Sequence, residues 1–247
     1  MLLRYLFVIG EAPVAVMILL AAFAVSMIVG LAFHEFAHAY VATRLGDGTP
    51  KRFGRLTLDP RAHLDPVGSL MILFAGFGWA KPTPVNANNT ANPRRSMVMI
   101  AAAGPLSNLA VAALAAIPIR LDLVPFYHPF VPPVLASASA QMWTESVASL
   151  LGLFLGTILL LNVMLAVFNL LPIAPLDGFK VVAGLLPPDP ARSFSRLEAW
   201  GPGILLLLFM FPFFSGGMIS PLSIVMSPLI QFFLVLLAGD ARGLLFG

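Results

Sequence analysis

The chain has 247 residues, 59% of them hydrophobic and 10% charged, with a mean hydropathy of +0.94; charged residues approach about 25% in soluble domains, so this composition marks a polytopic membrane protein. The pI near 9.7 rests on a net charge of only +3, which speaks to membrane topology and not to a nucleic-acid footprint. Cysteine is absent, which excludes disulfides, Cys-type zinc sites and thiol catalysis.

In chain order, MLLRYLFVIGEAP (residues 1–13) is a short apolar run without a small-residue cleavage pattern, so no cleavable signal peptide is expected. It leads into an uncharged run over residues 12–33, long enough to span a bilayer, since a helix needs about 20 residues to cross the hydrocarbon core. Residues 96–119 form a second such run, and residues 146–176 contain a third. The Pro-rich stretch LVPFYHPFVPPV (residues 123–134) reads as a connection outside the membrane. Residues 199–239 have room for two short spans, separated by the turn-forming SGGMISP at 215–221. There is no internal repeat.

Residues 66–80, PVGSLMILFAGFGWA, are apolar but short and carry three glycines. Charge decides whether they cross. If they dip in and return, 12 of the 14 basic residues fall on one side of the membrane, with Arg4 and Arg120 opposite. If they cross, the split is 8 against 6. The positive-inside rule favours the re-entrant reading. The expected fold is therefore an all-α polytopic membrane protein with about five transmembrane helices and a short re-entrant, β-hairpin-like element. It forms a single membrane-embedded domain over 1–247, with a catalytic core at about 13–190 and C-terminal helices at about 200–239. Non-helical backbone at membrane depth is tolerated only where protein covers it or it lines a wet cavity, so this element hints at an internal site.

The first span runs into LAFHEFAHAY (residues 31–40), which places two of the chain's four histidines and a glutamate in an apolar helix. Ionisable groups at membrane depth are expensive and mark function. His34 and His38, four residues apart, share one helix face, so both imidazoles can reach one metal ion, while the adjacent Glu35 can reach a water on that ion without ligating it. Zinc lowers the pKa of a coordinated water to about 7, and a carboxylate can then take its proton. This is the HExxH arrangement of metalloproteases, and the chain's own composition yields far fewer than one chance occurrence of it.

Two histidines need a third ligand. Among the acidic residues near membrane segments, Glu11, Glu145, Glu198 and Asp240 sit at ordinary helix ends. Asp177 lies in FNLLPIAPLDGFK (residues 168–180), where Pro172 and Pro175 end the third span's helix and allow an irregular segment to return a carboxylate to the first helix. A turn aspartate before Gly178 is the alternative. His63 is loop-borne and suited to a hydrogen bond with a nearby turn, His128 falls on the opposite side of the membrane, and Asn108 in the second span must find a partner, for which helix packing is the simpler role.

FHEFAHAY, GRLTLDPRAHLDPVG (54–68), GWAKPTPVN (78–86), AGPLSNL (103–109) and NLLPIAPLDG (169–178), in order over most of residues 13–190, closely resemble the site-2 protease family of intramembrane zinc metalloproteases. That resemblance implies His34, His38 and Asp177 as zinc ligands, Glu35 as general base and Asn169 as the residue that positions the substrate carbonyl or stabilises its oxyanion. It also implies the compact branch, without a PDZ insertion or an appended CBS domain. GWAKP resembles the family's membrane-embedded β-hairpin beside the active site. Gly76, Phe77, Gly78 and Trp79 are then candidates to pair with an unwound substrate, the glycines permitting close approach and Trp79 anchoring the element at the interface.

The expected function is intramembrane proteolysis by zinc-activated water, with one Zn2+ per chain. The expected partners are a transmembrane protein or peptide substrate and the lipid bilayer, with no nucleic acid. The expected setting is the cell membrane of a prokaryote, with the active site toward the cytoplasm. Hydrolysis of a lipid or another amide would use the same chemistry, and a catalytically silent scaffold or transporter is the non-enzymatic alternative, although it would have no use for the Glu35 that is present.

Overall fold

The computed structural model describes residues 10, 12–68, 71 and 78–239. Among them, five helical stretches are long and apolar enough to cross a membrane, near the expected positions: Pro13–Arg44, Pro93–Arg120, Val147–Asn169, Pro188–Phe214, which is two α-helices joined through the 3-10 turn Arg196–Trp200, and Pro221–Ala238. The protein is an all-α, multi-pass membrane protein. Helix α1 is Pro13–Arg44, α2 is Pro93–Arg120, α3 is Ala136–Thr144 and α4 is Val147–Asn169; α5 (Asp177–Leu185) and α6 (Pro188–Ser195) are short, and α7 (Gly201–Phe214) and α8 (Pro221–Ala238) follow.

Local sequence sets the helix starts. Proline, whose missing N–H costs nothing in a first turn, opens α1, α2 and α8. The side chains of Asn92, Ser146 and Ser220 accept the orphan amides of Arg95, Ser149 and Ser223. At about 1.5 Å per residue, the 32-residue α1 is longer than the roughly 30 Å hydrocarbon core, and its motif lies in the C-terminal half.

Helices α1, α2 and α4 pack together as the core, with α8 against α2 and α4. The main cluster joins Ala112, Ala116 and Ile119 of α2 with Leu159, Val163 and Val167 of α4 and Met226 and Leu234 of α8. A second cluster seats Trp143 of α3 against Ala15, Val16 and Leu19 of α1. The Pro-rich connection at 123–134 lies on α4: a Cβ on Gly152 would stand 2.1 Å from the Pro125 carbonyl oxygen, so glycine is what permits that approach. Only Gly201 of α7 is buried, leaving an apolar surface suited to lipid.

The segment between α1 and α2 closes on itself. Leu64 and Ala80 form an antiparallel bridge, Lys81 N–H donates to His63 O at 2.7 Å, and Gly68 lies so close to Trp79 that a Cβ would be 2.0 Å from its carbonyl oxygen. The chain therefore leaves at 64 and returns to the same place at 80. No sheet forms among the described residues, and this bridge is their β-like feature. Of the anticipated strand residues, Gly78 and Trp79 are described, while Gly76 and Phe77 lie outside the described residues.

Candidate active site

Three elements meet at one point. His34 and His38 project from one face of α1, and Asp177 is the first residue of α5. The loop from Leu170 to Leu176 carries the chain back from the end of α4, and Gly178 fits against it: a Cβ there would stand 2.2 Å from Leu170 O. Asp177 Oδ2 lies 3.0 Å from His34 Nε2 and 3.1 Å from His38 Nε2, and the two Nε2 atoms are 3.0 Å apart. All three residues are buried, at 6–7% exposure. Lys180 Nζ stands 3.6 Å from the other carboxylate oxygen, Oδ1.

Each imidazole is held from behind. His34 Nδ1 lies 2.7 Å from Asn108 Oδ1, and His38 Nδ1 lies 2.7 Å from Ile100 O, both on α2. Ile100 O can only accept, so His38 Nδ1 donates to it, and the Nε2 atoms of both rings face Asp177.

This arrangement fits a zinc ion. Two neutral imidazole nitrogens and a carboxylate are a common catalytic donor set, completed by one water. Their ligand atoms lie within 4.8 Å of one another. Gly104 keeps the space beside them open, because a Cβ there would fall 2.5 Å from His38 Nε2 and 2.6 Å from His34 Nε2.

Glu35 is also buried, and its Oε2 accepts the Thr83 backbone N–H at 2.8 Å. The Thr83 hydroxyl donates to Glu35 O at 3.2 Å, so KPTPV (residues 81–85) is fastened to the histidine helix at the acidic residue of HEFAH. Asn169 ends α4, half-buried, with its amide donating to Leu165 O at 2.9 Å; no bond joins it to His34, His38 or Asp177. His63 makes the expected turn contact, its Nε2 lying 2.8 Å from Thr57 O.

Sequence reasoning missed the supports. Asn108, weighed as a packing residue, is the partner of His34. Asn162 and Thr83 were not singled out; the signal for Asn162 was a lone amide in a span that otherwise has no strongly polar group near it. Asp47 was also overlooked. It is fully buried just past α1 and accepts from Thr49 N–H (3.0 Å), the Thr49 hydroxyl (2.6 Å), Asn86 N–H (2.7 Å) and Asn89 Nδ2 (2.8 Å). Burial alone would raise its pKa, but these donors together hold it below the ordinary carboxylate range. Asp47 thereby ties the end of the histidine helix to the segment that carries Thr83.

A model of peptidase family M50 matches residues 22–210. The chain is 40% identical over 188 residues to "Putative zinc metalloprotease YwhC" of Bacillus subtilis (strain 168), covering 76% of this chain and 80% of that protein. It is 33% identical over 195 residues to "Putative zinc metalloprotease Rip2" of Mycobacterium tuberculosis (strain ATCC 25618 / H37Rv), covering 76% of this chain and 66% of that protein. With the Rip2 of Mycolicibacterium smegmatis it shares 31% identity over 190 residues, 75% of this chain and 65% of that protein. No solved structure matches the chain.

Proposed function

The chain belongs to peptidase family M50, the site-2 proteases, and is a zinc metalloprotease; on that premise we propose that it hydrolyses peptide bonds within or beside transmembrane segments of other membrane proteins. The observation that carries this reading is the convergence of His34, His38 and Asp177 on one point, reached from a helix of membrane-spanning length.

His34, His38 and Asp177 would hold the zinc. When bound, zinc supplies the Lewis acidity that brings proton loss from water near neutral pH and polarises a peptide carbonyl. Glu35 takes the proton of the attacking water and returns it to the leaving amine, with the Thr83 N–H fixing one carboxylate oxygen and leaving the other to work. Asn169 orients the scissile carbonyl or stabilises its developing charge with the amide proton that Leu165 O does not take. Residues 76–79 offer main-chain partners to the unwound substrate.

The orientation follows from charge. With the return of the chain at residue 80, 11 of the 12 basic residues among those described would fall on the HEFAH-proximal side, which by the positive-inside rule supports a cytoplasmic placement. The relatives are bacterial, in keeping with a multi-pass protein of a prokaryotic cell membrane. Incubating purified protein with a labelled transmembrane peptide, with and without a zinc chelator, tests the reading. We expect a chelator-sensitive cut that mass spectrometry locates within or beside the apolar segment. Chelator-sensitive release of a fatty acid from lipid, with the peptide intact, would replace proteolysis by lipid hydrolysis.

A further inference from the structure

Two fully buried amides stand behind His34, and neither takes part in the chemistry above. Asn108 of α2 donates its Nδ2 to Gly30 O at 3.0 Å and to Asn162 Oδ1 at 3.2 Å, leaving Oδ1 toward His34 Nδ1. Asn162 of α4 donates its own Nδ2 to Ile158 O at 2.9 Å. The direction of every bond is determined, because Gly30 O and Ile158 O are main-chain carbonyls that can only accept. Ile158 O fixes the Asn162 amide, whose oxygen then faces Asn108. Gly30 O and that oxygen fix the Asn108 amide, whose own oxygen must face the imidazole. An oxygen there can bond His34 only if Nδ1 carries the proton.

Gly30 belongs to the same device. It lies one turn before His34, and a Cβ at that position would stand 2.8 Å from Asn162 Oδ1 and 3.4 Å from Asn108 Nδ2. Glycine there lets two amides on α2 and α4 reach the backbone of α1. Simple helix-to-helix adhesion would account for an Asn–Asn bond. It would not require that the chain of donors start at a ring nitrogen of a metal-site histidine.

We propose that Asn108 and Asn162 are positioning residues that form a one-way hydrogen-bond relay across three helices, holding His34 in the Nδ1–H tautomer so that Nε2 is always the metal-facing atom. The inference rests on the reading of His34 as a zinc ligand. Outer-shell partners of this kind change metal affinity by about 10–100-fold when removed. Because Asn162 acts through Asn108, its removal should weaken affinity by a smaller factor.

The test measures zinc affinity by chelator competition in purified protein, alongside 15N NMR of histidine-labelled wild type. Asn108→Leu should bind zinc about 10–100-fold more weakly. Asn162→Leu should fall between it and wild type. The NMR spectrum should show His34 protonated at Nδ1. Wild-type affinity in Asn108→Leu overturns the relay; if that variant does not fold, an Nε2-protonated His34 in wild type overturns it instead. A His34→Ala control separates the two layers: retained zinc overturns the ligand assignment, whereas lost zinc together with an unaffected Asn108→Leu overturns the relay alone.

Discussion

Thr83 grips Glu35 at two points, donating its backbone N–H to Oε2 at 2.8 Å and its hydroxyl to the main-chain oxygen at 3.2 Å. Only the first bond touches the carboxylate, so the two can be separated. Thr83→Val removes the hydroxyl and keeps the N–H, and should leave peptide cleavage within about threefold of wild type. Thr83→Pro removes the N–H as well. Because a hydrogen bond to a charged group is worth about 1.5–3 kcal/mol, its loss should lower kcat by about tenfold or more with zinc still bound. Equal activities in the two variants would show that the amide does not position the base.

Metal binding and proton transfer also separate. Replacing His34, His38 or Asp177 with Ala should lower zinc from about one per chain to a small fraction, measured by elemental analysis of purified protein. Glu35→Gln preserves size and polarity but not the proton acceptor. It should keep its zinc and lose at least about 100-fold in turnover. Full zinc in Asp177→Ala would remove that residue from the ligand set.

Gly104→Ala opposes two effects of unequal size. Alanine is the better helix former by about 1 kcal/mol, so the substitution should stabilise α2 in isolation. Its Cβ, however, would sit 2.5–2.6 Å from both Nε2 atoms, inside any contact distance that real side chains adopt. The variant should therefore fold and lose zinc with every proposed ligand intact. Wild-type zinc content in Gly104→Ala would mean that α2 can retreat from the histidines.

Much of this was legible before the coordinates. The spans stood out because the bilayer demands about 20 uncharged residues, and HEFAH because helical periodicity puts positions 34 and 38 on one face. Asp177 was legible through Pro172 and Pro175, which had to end a helix. The supports were not, because their partners are set by how α1, α2 and α4 cross. Asn108 and Asn162 each announced the need for a hydrogen bond, but nothing in sequence separates a bond to another helix's backbone from a bond to His34, which lies 74 positions away. Asp47, in LGDGTP, looks like an ordinary turn aspartate until Asn86 and Asn89 arrive from about 40 positions further along the chain.

Asp47 makes a pH-dependent contribution whose sign is fixed. Its pKa is lowered in the folded protein, so its stabilisation is fully present above the unfolded carboxylate value of about 3.9 and is lost as pH falls through the depressed folded value. Asp47→Ala leaves four donors without their shared acceptor and should cost about 1–3 kcal/mol at neutral pH, read from thermal unfolding in detergent. The gap between variant and wild type should narrow only in strong acid. A gap that closed between pH 7 and 5 would assign the effect to another group.

The transmembrane substrate we propose would impose the last constraint. In a transmembrane helix each peptide carbonyl is already bonded to an amide four residues on, and attack on it requires that turn to open. In lipid each exposed backbone group costs several kcal/mol, so opening must be offset by new main-chain partners. Residues 79–81 run beside residues 63–64 through the Leu64–Ala80 bridge and the Lys81–His63 bond, which occupy one edge of that strand-like segment. The opposite edge is the one we assign to the substrate. Main-chain groups alternate sides along a strand, so Lys81 and Trp79 face residues 63–68 and Ala80 faces the opposite edge. Ala80→Pro should therefore slow cleavage and leave zinc bound, and Gly or Pro near a substrate's scissile bond should speed it. The second effect should also shrink the first, because a substrate already unwound needs less help from residue 80. Cleavage indifferent to substrate helicity, together with a fully active Ala80→Pro, would require a different route to unwinding at an otherwise unchanged metal site.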